Sequence, residues 1–204
     1  MNVLLVNGSP NQHGCTYTAL SEVKKTLEEN GVSADLLWIG KKAVQGCIAC
    51  NRCEELDRCV FRDEVYNAAI EKLEKADGVI FGSPVYYGGA NGSLTALMAR
   101  LFYSRGDLLA GKPAAAVVSC RRGGATATFQ QLNQFFYLME MPVVSSQYWN
   151  DVHGNTPEEV LQDAEGMQTM RVLGRNMAWL IRSIQEAKVP APAQEERVFT
   201  NFIR

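Results

Sequence analysis

The chain has 204 residues, 47% of them apolar and 21% charged, as in an ordinary globular protein of one domain. Its net charge of −2, without any basic run, counts against a nucleic-acid partner, and no apolar stretch is long enough to span a membrane. The amino terminus lacks the basic segment of a signal peptide, so we expect a cytoplasmic protein with reduced cysteines.

The first third of the chain alternates strand patterns with helix patterns. Asn2–Asn7 is apolar on both faces, which is typical of a buried parallel strand. A helical period begins at Thr16 and stops at Gly31, and Ser33–Ile39 is a second predicted strand. The connection that follows, residues 46–60, contains four of the six cysteines.

The same alternation continues through the rest of the chain. Gly78–Gly82, Pro113–Ser119 and Pro142–Trp149 are the third, fourth and fifth predicted strands. A long helix has Pro157 near its start and is ended by Pro190. The helices that follow strands two, three and four have apolar faces made of Val65, Ala69, Leu73 and Ala76, of Leu94, Leu97, Met98, Leu101 and Phe102, and of Phe129, Leu132, Phe136 and Met139.

Five successive strand–helix units predict one α/β domain over residues 1–188, with a parallel sheet covered by helices on both faces. We interpret residues 46–60 as a cysteine-rich insertion and residues 189–204 as a tail. Three apolar side chains of the tail, Phe199, Phe202 and Ile203, would suit a subunit interface.

Ligands of such sheets bind beyond the carboxyl ends of the strands, where the loops GSPNQHGCT, GSPVYYGGANGS and SCRRGGAT would converge. The first loop opens a helix, so backbone N–H groups with the hydroxyls of Ser9 and Thr16 could hold a phosphate. It matches neither the Walker nor the dinucleotide-binding pattern. A polar turn with a helix cap is the alternative interpretation.

The other two loops suggest a flat, charged ligand. Val85, Tyr86 and Tyr87 are followed by glycines at which backbone could approach a planar heterocycle; alternatively, the tyrosines only cover the end of the sheet. Arg121 and Arg122 could bind an anion such as a pyridine-nucleotide phosphate, or could be solvated surface charges.

Taken in this order, the first loop, GSPVYYG and the cysteine motif resemble the flavodoxin-like NAD(P)H-dependent FMN reductases, and within them the iron–sulfur flavoproteins. The resemblance spans about residues 1 to 185 and implies a doubly wound five-stranded sheet of order 2-1-3-4-5 with FMN at its rim. The FMN-binding residues that it implies are Ser9, Asn11, Gly14, Cys15, Thr16, Pro84, Val85, Tyr86, Tyr87, Gly88, Ser119, Arg121, Gly123 and Gly124.

The sequence departs from the family pattern in three places. Asn11 stands where arginine is usual in the first loop, and Cys15 stands where asparagine is usual. The helix after the second loop often carries a lysine and an Asp-Arg pair, of which only Arg100 is present, so the orientation of any NAD(P)H stays open.

The cysteine spacing C-x2-C-x2-C-x5-C leaves open an iron–sulfur cluster, a zinc site or unused thiols. Zinc sites usually combine two Cys-x2–4-Cys pairs, or one such pair with histidines, from separate stretches of the chain. Three cysteines in one compact run are instead typical of the ligands of a [4Fe–4S] cluster. The gap of five before the last cysteine and Val60 after it match the iron–sulfur flavoprotein pattern. We therefore predict a [4Fe–4S] cluster on Cys47, Cys50, Cys53 and Cys59, with Cys15 and Cys120 outside it.

The resemblance predicts an FMN-dependent oxidoreductase that uses NAD(P)H or a ferredoxin-type donor and reduces a small acceptor such as a flavin, a quinone, or an azo or nitro compound. The flavin would carry the reaction, so no catalytic side chain is expected. An electron carrier without its own small substrate and a non-catalytic FMN-binding module are the alternatives. A homodimer or tetramer is the assembly that the resemblance suggests.

Overall fold

The computed structural model describes residues 1–193, 195–196 and 198–200. Its strands are β1 (Asn2–Asn7), β2 (Ser33–Trp38), β3 (Gly78–Tyr86), β4 (Gly89–Ala90), β5 (Ala114–Cys120) and β6 (Asp151–His153). Its helices are α1 (Cys15–Glu29), α2 (Cys53–Leu56), α3 (Glu64–Leu73), α4 (Gly92–Ser104), α5 (Ala125–Leu138), α6 (Pro157–Gln162) and α7 (Ala164–Gln185), with a short 3₁₀ turn at Gly106–Leu108.

Five parallel strands form the sheet in the order β2-β1-β3-β5-β6, and the short β4 pairs antiparallel with the end of β3. The predicted order 2-1-3-4-5 is confirmed, because β5 and β6 are the fourth and fifth parallel strands. Side chains of each strand alternate between two cores. Leu4 and Val6 of β1 face one core, which includes side chains of α3, α4 and α5, while Val3 and Leu5 face the other, which includes side chains of α1 and α7.

The prediction of the fifth strand as Pro142–Trp149 is wrong. Only Val143 bridges the sheet there, beside Ala114, and the strand proper is β6 at Asp151–His153. Between the two, the Ser146 hydroxyl donates to the Tyr148 carbonyl oxygen over 2.8 Å. Such local side-chain bonds compete with strand pairing, so the chain leaves the sheet before it returns.

Two further boundaries differ from the predictions. The third strand continues past Gly82 to Tyr86, so Pro84 and Val85 lie in β3 rather than in a loop, because Val85 and Tyr86 pair with β4. The long helix is divided at Asp163, whose carboxylate accepts the Gly166 N–H at 2.9 Å and starts α7. An N-cap of this kind begins a new helix even when the apolar period continues.

In the described ranges, no helix is both long enough and apolar enough to cross a membrane. Phe199 is 79% exposed, while Phe202 and Ile203 lie outside the described residues. The division between residues 1–188 and the tail stays a prediction.

Candidate functional site

A pocket lies at the rim where β1, β3, β5 and β6 end, as expected for a parallel sheet. It contains about 520 Å³ of space, including open solvent. Its lining residues are Ser9, Asn11, Cys15, Thr16, Pro84, Val85, Tyr86, Ser119, Cys120, Arg121, Gly154 and Asn155. Nine of these are among the fourteen residues that the sequence predicted for the cofactor.

The first loop is held in shape by its own polar groups. Asn7, buried at the end of β1, accepts the Ser9 N–H with Oδ1 at 3.0 Å and donates from Nδ2 to the Gln12 carbonyl oxygen at 3.0 Å. The Ser9 hydroxyl accepts the Asn11 N–H at 3.1 Å. The loop is therefore fixed before any ligand binds to it.

Helix α1 begins at this loop without a side-chain cap. Its N-cap is Gly14, and a Cβ there would come within 3.0 Å of the Asn11 Cβ atom. The first N–H groups of a helix lack partners inside the helix, and together with the helix dipole they favour an anion. The geometry thus fits the phosphate of FMN at this end of α1.

Two buried hydroxyls join the first loop to the loop after β5. Thr16 Oγ1 and Ser119 Oγ lie 2.8 Å apart, and both residues are less than 4% exposed. Cys15, which replaces the family's usual asparagine, donates weakly from Sγ to the Gly154 carbonyl oxygen at 3.6 Å. Burial raises the pKa of the Cys15 thiol, which keeps it protonated and neutral beside the anion site.

The aromatic segment forms a β-hairpin that touches the loop after β5. A Cβ on Gly124 would lie 2.8 Å from the Gly88 Cα atom and 2.8 Å from a Val85 methyl group. Tyr86 is 45% exposed, and Tyr87, with a φ of 49°, is fully exposed. The hairpin and the loop after β5 are therefore in contact, while the Tyr87 side chain stays outside the rim pocket.

Gly123 and Gly124 line a neighbouring pocket instead, together with Arg122, Asp151, His153 and Asp163. Burial raises the pKa of the Asp151 carboxyl group in this pocket. The residues predicted for the cofactor therefore line two adjoining pockets.

Asn91 is a structural residue of the rim that the sequence analysis missed. Its Nδ2 donates to the Gly8 carbonyl oxygen at 2.6 Å, its N–H donates to Ser83 Oγ at 2.9 Å, and its Oδ1 caps α4 by accepting the Ser93 N–H. An asparagine immediately before a helix is a known capping signal. The signal could have located the cap, although not the contact with Gly8.

Gly154 and Asn155 were missed because only the loops after strands one, three and four were considered, and because the fifth strand was placed too early. A strand ending at Trp149 would put its carboxyl end five residues before Gly154. With β6 ending at His153, the next two residues belong to the rim, and the Gly154 N–H donates to the Cys120 carbonyl oxygen at 3.0 Å.

The four cysteines of the insertion line a second site, away from the rim. Cys47, Cys50, Cys53 and Cys59 share one small pocket with Arg100 and with side chains of the Val60–Phe61 and Tyr103–Ser104 segments. Cys47 and Cys50 are exposed, while Cys53 and Cys59 are partly buried. Burial raises the pKa of the Cys53 thiol, and the charges of the other three cysteines raise it further.

The backbone around these cysteines is strained. Ala49, Asn51 and Asp57 have φ angles of 51°, 55° and 50°, in a region that residues other than glycine rarely occupy. Such strain is concentrated at functional loops. The side chain of Asn51 also accepts a hydrogen bond from the Tyr103 hydroxyl at 3.0 Å, which ties the loop to α4.

In the part of the chain that the structure describes, no three His, Cys, Asp or Glu side chains are grouped closely enough to hold a single metal ion. A four-iron cluster makes a different demand, because it holds its cysteines at separate irons rather than at one atom. Four cysteines that line one pocket fit the donor chemistry of such a cluster.

Comparisons with known proteins show the family of the chain. Residues 1–156 match the family described as NADPH-dependent FMN reductase. An iron–sulfur flavoprotein of Methanocaldococcus jannaschii is 34% identical over an alignment of 194 residues, which covers 91% of this chain and 100% of that protein.

Two solved structures share the fold. RosB, solved with bound 8-demethyl-8-formylriboflavin-5'-phosphate, has a TM-score of 0.73 at 13% identity, covering 98% of this chain and 92% of its own. A WrbA-like flavodoxin from Agrobacterium tumefaciens has a TM-score of 0.63 at 19% identity, covering 89% of this chain and 98% of its own. The fold is thus flavodoxin-like, and the chain belongs to the NADPH-dependent FMN reductase family.

Proposed function

We propose that the protein is an FMN-dependent oxidoreductase that also carries a [4Fe–4S] cluster and passes electrons to a small acceptor. The observation that carries the proposal is the combination of an uncapped α1 start with an aromatic hairpin at one rim, beside a separate pocket lined by four cysteines. When bound, FMN supplies the redox chemistry by accepting and donating electrons through its ring.

The residues of the rim bind and orient the cofactor. The N–H groups at the start of α1 and the hydroxyls of Ser9 and Thr16 would hold the phosphate. The hairpin at Pro84–Gly88 would lie against the ring, and the Ser119–Gly124 loop would close over it. These two walls are packed against each other, because a Cβ on Gly124 would lie 2.8 Å from the Gly88 Cα atom.

In the second site, Cys47, Cys50, Cys53 and Cys59 would ligate the cluster as thiolates. The cluster, when present, supplies single-electron transfer. Support comes from the shared pocket and from the iron–sulfur flavoprotein relative that is 34% identical over nearly the whole chain.

A protein electron donor is favoured over direct use of NAD(P)H by the exposure of the cysteine pocket. Cys47 and Cys50 are exposed, and Ile48 between them is 56% exposed. A ferredoxin-type partner could approach the cluster closely at this surface. An electron carrier without a small substrate of its own is the second candidate, favoured by the same exposure.

Anaerobic spectroscopy followed by a donor assay would test the proposal. Protein purified anaerobically should show flavin absorption together with a broad cluster band that bleaches on reduction. Reduced ferredoxin, NADH and NADPH would then be compared as donors. Bound flavin that none of the three reduces would contradict the oxidoreductase and favour a non-catalytic FMN-binding module, whereas reduction without turnover of any acceptor would favour the carrier.

The Ser9→Ala/Thr16→Ala double variant is expected to bind FMN more weakly while remaining folded. A hydrogen bond to a charged group contributes about 1.5–3 kcal/mol, and each 1.4 kcal/mol is roughly a tenfold change in affinity. Flavin fluorescence during titration would measure the dissociation constant.

Thr26→Ala is the matched control, because Thr26 is a buried threonine of the same helix whose hydroxyl donates to the Glu22 carbonyl oxygen instead. If the double variant retains FMN with unchanged affinity, the phosphate lies elsewhere.

A further inference from the structure

Arg100 is one of the largest side chains that the described part of the fold buries completely, and it lies in α4 with no side-chain exposure. Burying a charge is expensive unless the charge is paired and hydrogen-bonded. The position of this guanidinium therefore needs an explanation in the groups that it contacts.

Three of those groups flank the cysteine-rich insertion of residues 46–60, and a fourth, Cys59, lies inside it. Arg100 donates to the carbonyl oxygen of Gln45 at 3.3 Å on one side of the insertion. On the other side it donates to the Phe61 carbonyl oxygen at 2.7 Å and to Asp63 Oδ2 at 2.5 Å. One guanidinium thus ties together the two ends of the segment that carries all four cysteines.

The fourth cysteine is a direct partner. Arg100 Nε donates to the Cys59 sulfur at 3.3 Å. The backbone of Cys59 is held as well, because its N–H donates to the Tyr66 hydroxyl at 3.1 Å, and that hydroxyl lies 2.6 Å from Ser104 Oγ. The Arg100 guanidinium stacks over the Tyr66 ring at 4.7 Å. Cys59 is therefore fixed at both its sulfur and its backbone.

The positive charge of Arg100 would affect the reduction potential of a cluster bound to Cys59. Net charge, hydrogen bonds to the sulfurs and exposure to solvent all tune the reduction potential of iron–sulfur sites. Reduction would add one electron to the cluster, break no bond and make the cluster with its ligands one unit more negative in total. A positive charge bonded to a ligand sulfur stabilises that state, and the nearby Asp63 carboxylate partly offsets it.

We propose that Arg100 is a positioning residue that fixes Cys59 as a cluster ligand and raises the reduction potential of the cluster. The inference rests on the four-cysteine ligand set of the proposed function. It assigns Arg100 to the cysteine pocket and away from NAD(P)H, since its side chain has no exposed surface.

Redox titration of reconstituted variants would test the proposal. Protein is loaded anaerobically with iron and sulfide, its iron content is measured, and it is reduced stepwise with dithionite through mediator dyes. Arg100→Gln removes the charge and should shift the cluster potential to more negative values. Asp63→Asn removes the opposing charge and should shift it to more positive values, while the amide oxygen can still accept the Tyr66 N–H that starts α3.

Two further variants separate charge from structure. Arg58→Gln is the matched control, because Arg58 is exposed and adjacent to Cys59 in sequence. The cluster potential of this variant should stay near that of the wild type. Arg100→Lys keeps the charge but loses the planar fork, so its potential should lie between those of the wild type and Arg100→Gln. It should also release iron to a chelator faster than the wild type.

The outcomes distinguish this proposal from the proposed function. Wild-type protein that takes up no iron overturns the cluster and this inference together. Wild-type protein that loads normally, with Arg100→Lys and Asp63→Asn at unchanged potentials or shifted in the same direction, overturns only the role of Arg100. If Arg100→Gln does not fold, the potentials of Arg100→Lys and Asp63→Asn decide whether Arg100 has this role.

Discussion

Cys59→Ser is expected to leave the protein nearly free of iron after anaerobic reconstitution, where the wild type should hold about four irons per chain. A serine hydroxyl is far less acidic than a thiol and is a poor ligand for iron. Cys59 is also the cysteine whose sulfur and backbone are both anchored, so no neighbouring thiol can take its place without moving the loop. Iron and sulfide analysis, with the visible spectrum, would measure the loss.

Cys120→Ser provides the matched control. Cys120 is a buried cysteine that lines the rim pocket, not the cysteine pocket, and burial raises the pKa of its thiol. This variant should retain the iron content of the wild type. Equal loss of iron from both variants would show general damage to the fold, and full iron in Cys59→Ser would remove Cys59 from the ligand set.

Gly124→Ala is expected to weaken FMN binding by at least about tenfold, because the residue adopts a φ of 89° and a Cβ there would meet the Gly88 backbone at 2.8 Å. A left-handed conformation costs a residue with a Cβ roughly 1–2 kcal/mol, before any clash is counted. The new methyl group would push the loop after β5 away from the hairpin. Fluorescence titration and the flavin absorption spectrum would report the change.

The adjacent residue, Gly123, provides the control for Gly124→Ala. Gly123 has no positive φ, and a Cβ there would meet nothing within 4 Å. Gly123→Ala adds no clash within the protein, so it should weaken FMN binding much less than Gly124→Ala does. If both variants bind equally well, the two walls of the rim do not act together on the ring.

Local patterns predicted most of the sheet because buried parallel strands are apolar throughout their length. Asn2–Asn7 was predicted with the bounds that the structure has, and the order of the parallel strands was also correct. The fifth strand failed because pairing with β5, not composition, determines where β6 begins. Pro142–Trp149 is as apolar as a strand, yet it meets the sheet only at Val143.

In the candidate sites too, residues marked by local sequence patterns were predicted, whereas contacts between residues distant in sequence were not. Glycine-rich loops and cysteine spacing are local signals, so Ser9, Thr16 and the four cysteines could be found without coordinates. The contact between Arg100 and Cys59 joins residues 41 positions apart, and the contact between Asn91 and Gly8 joins residues 83 apart. Nothing in a single sequence marks such pairs, because each depends on how α4 crosses the sheet.

Helix α4 touches both sites: Asn91 caps its start and bonds to the first loop, and Arg100, nine residues later, holds the cysteine pocket. At 1.5 Å per residue, these two anchor points lie about 14 Å apart along the axis. The length of α4 therefore sets the distance between the contact with the first loop and the contact with the cysteine pocket. A residue inserted between Asn91 and Arg100 would turn the Arg100 side chain by about 100° around the helix axis relative to Asn91. Lengthening the insertion loop would leave the spacing between Asn91 and Arg100 unchanged.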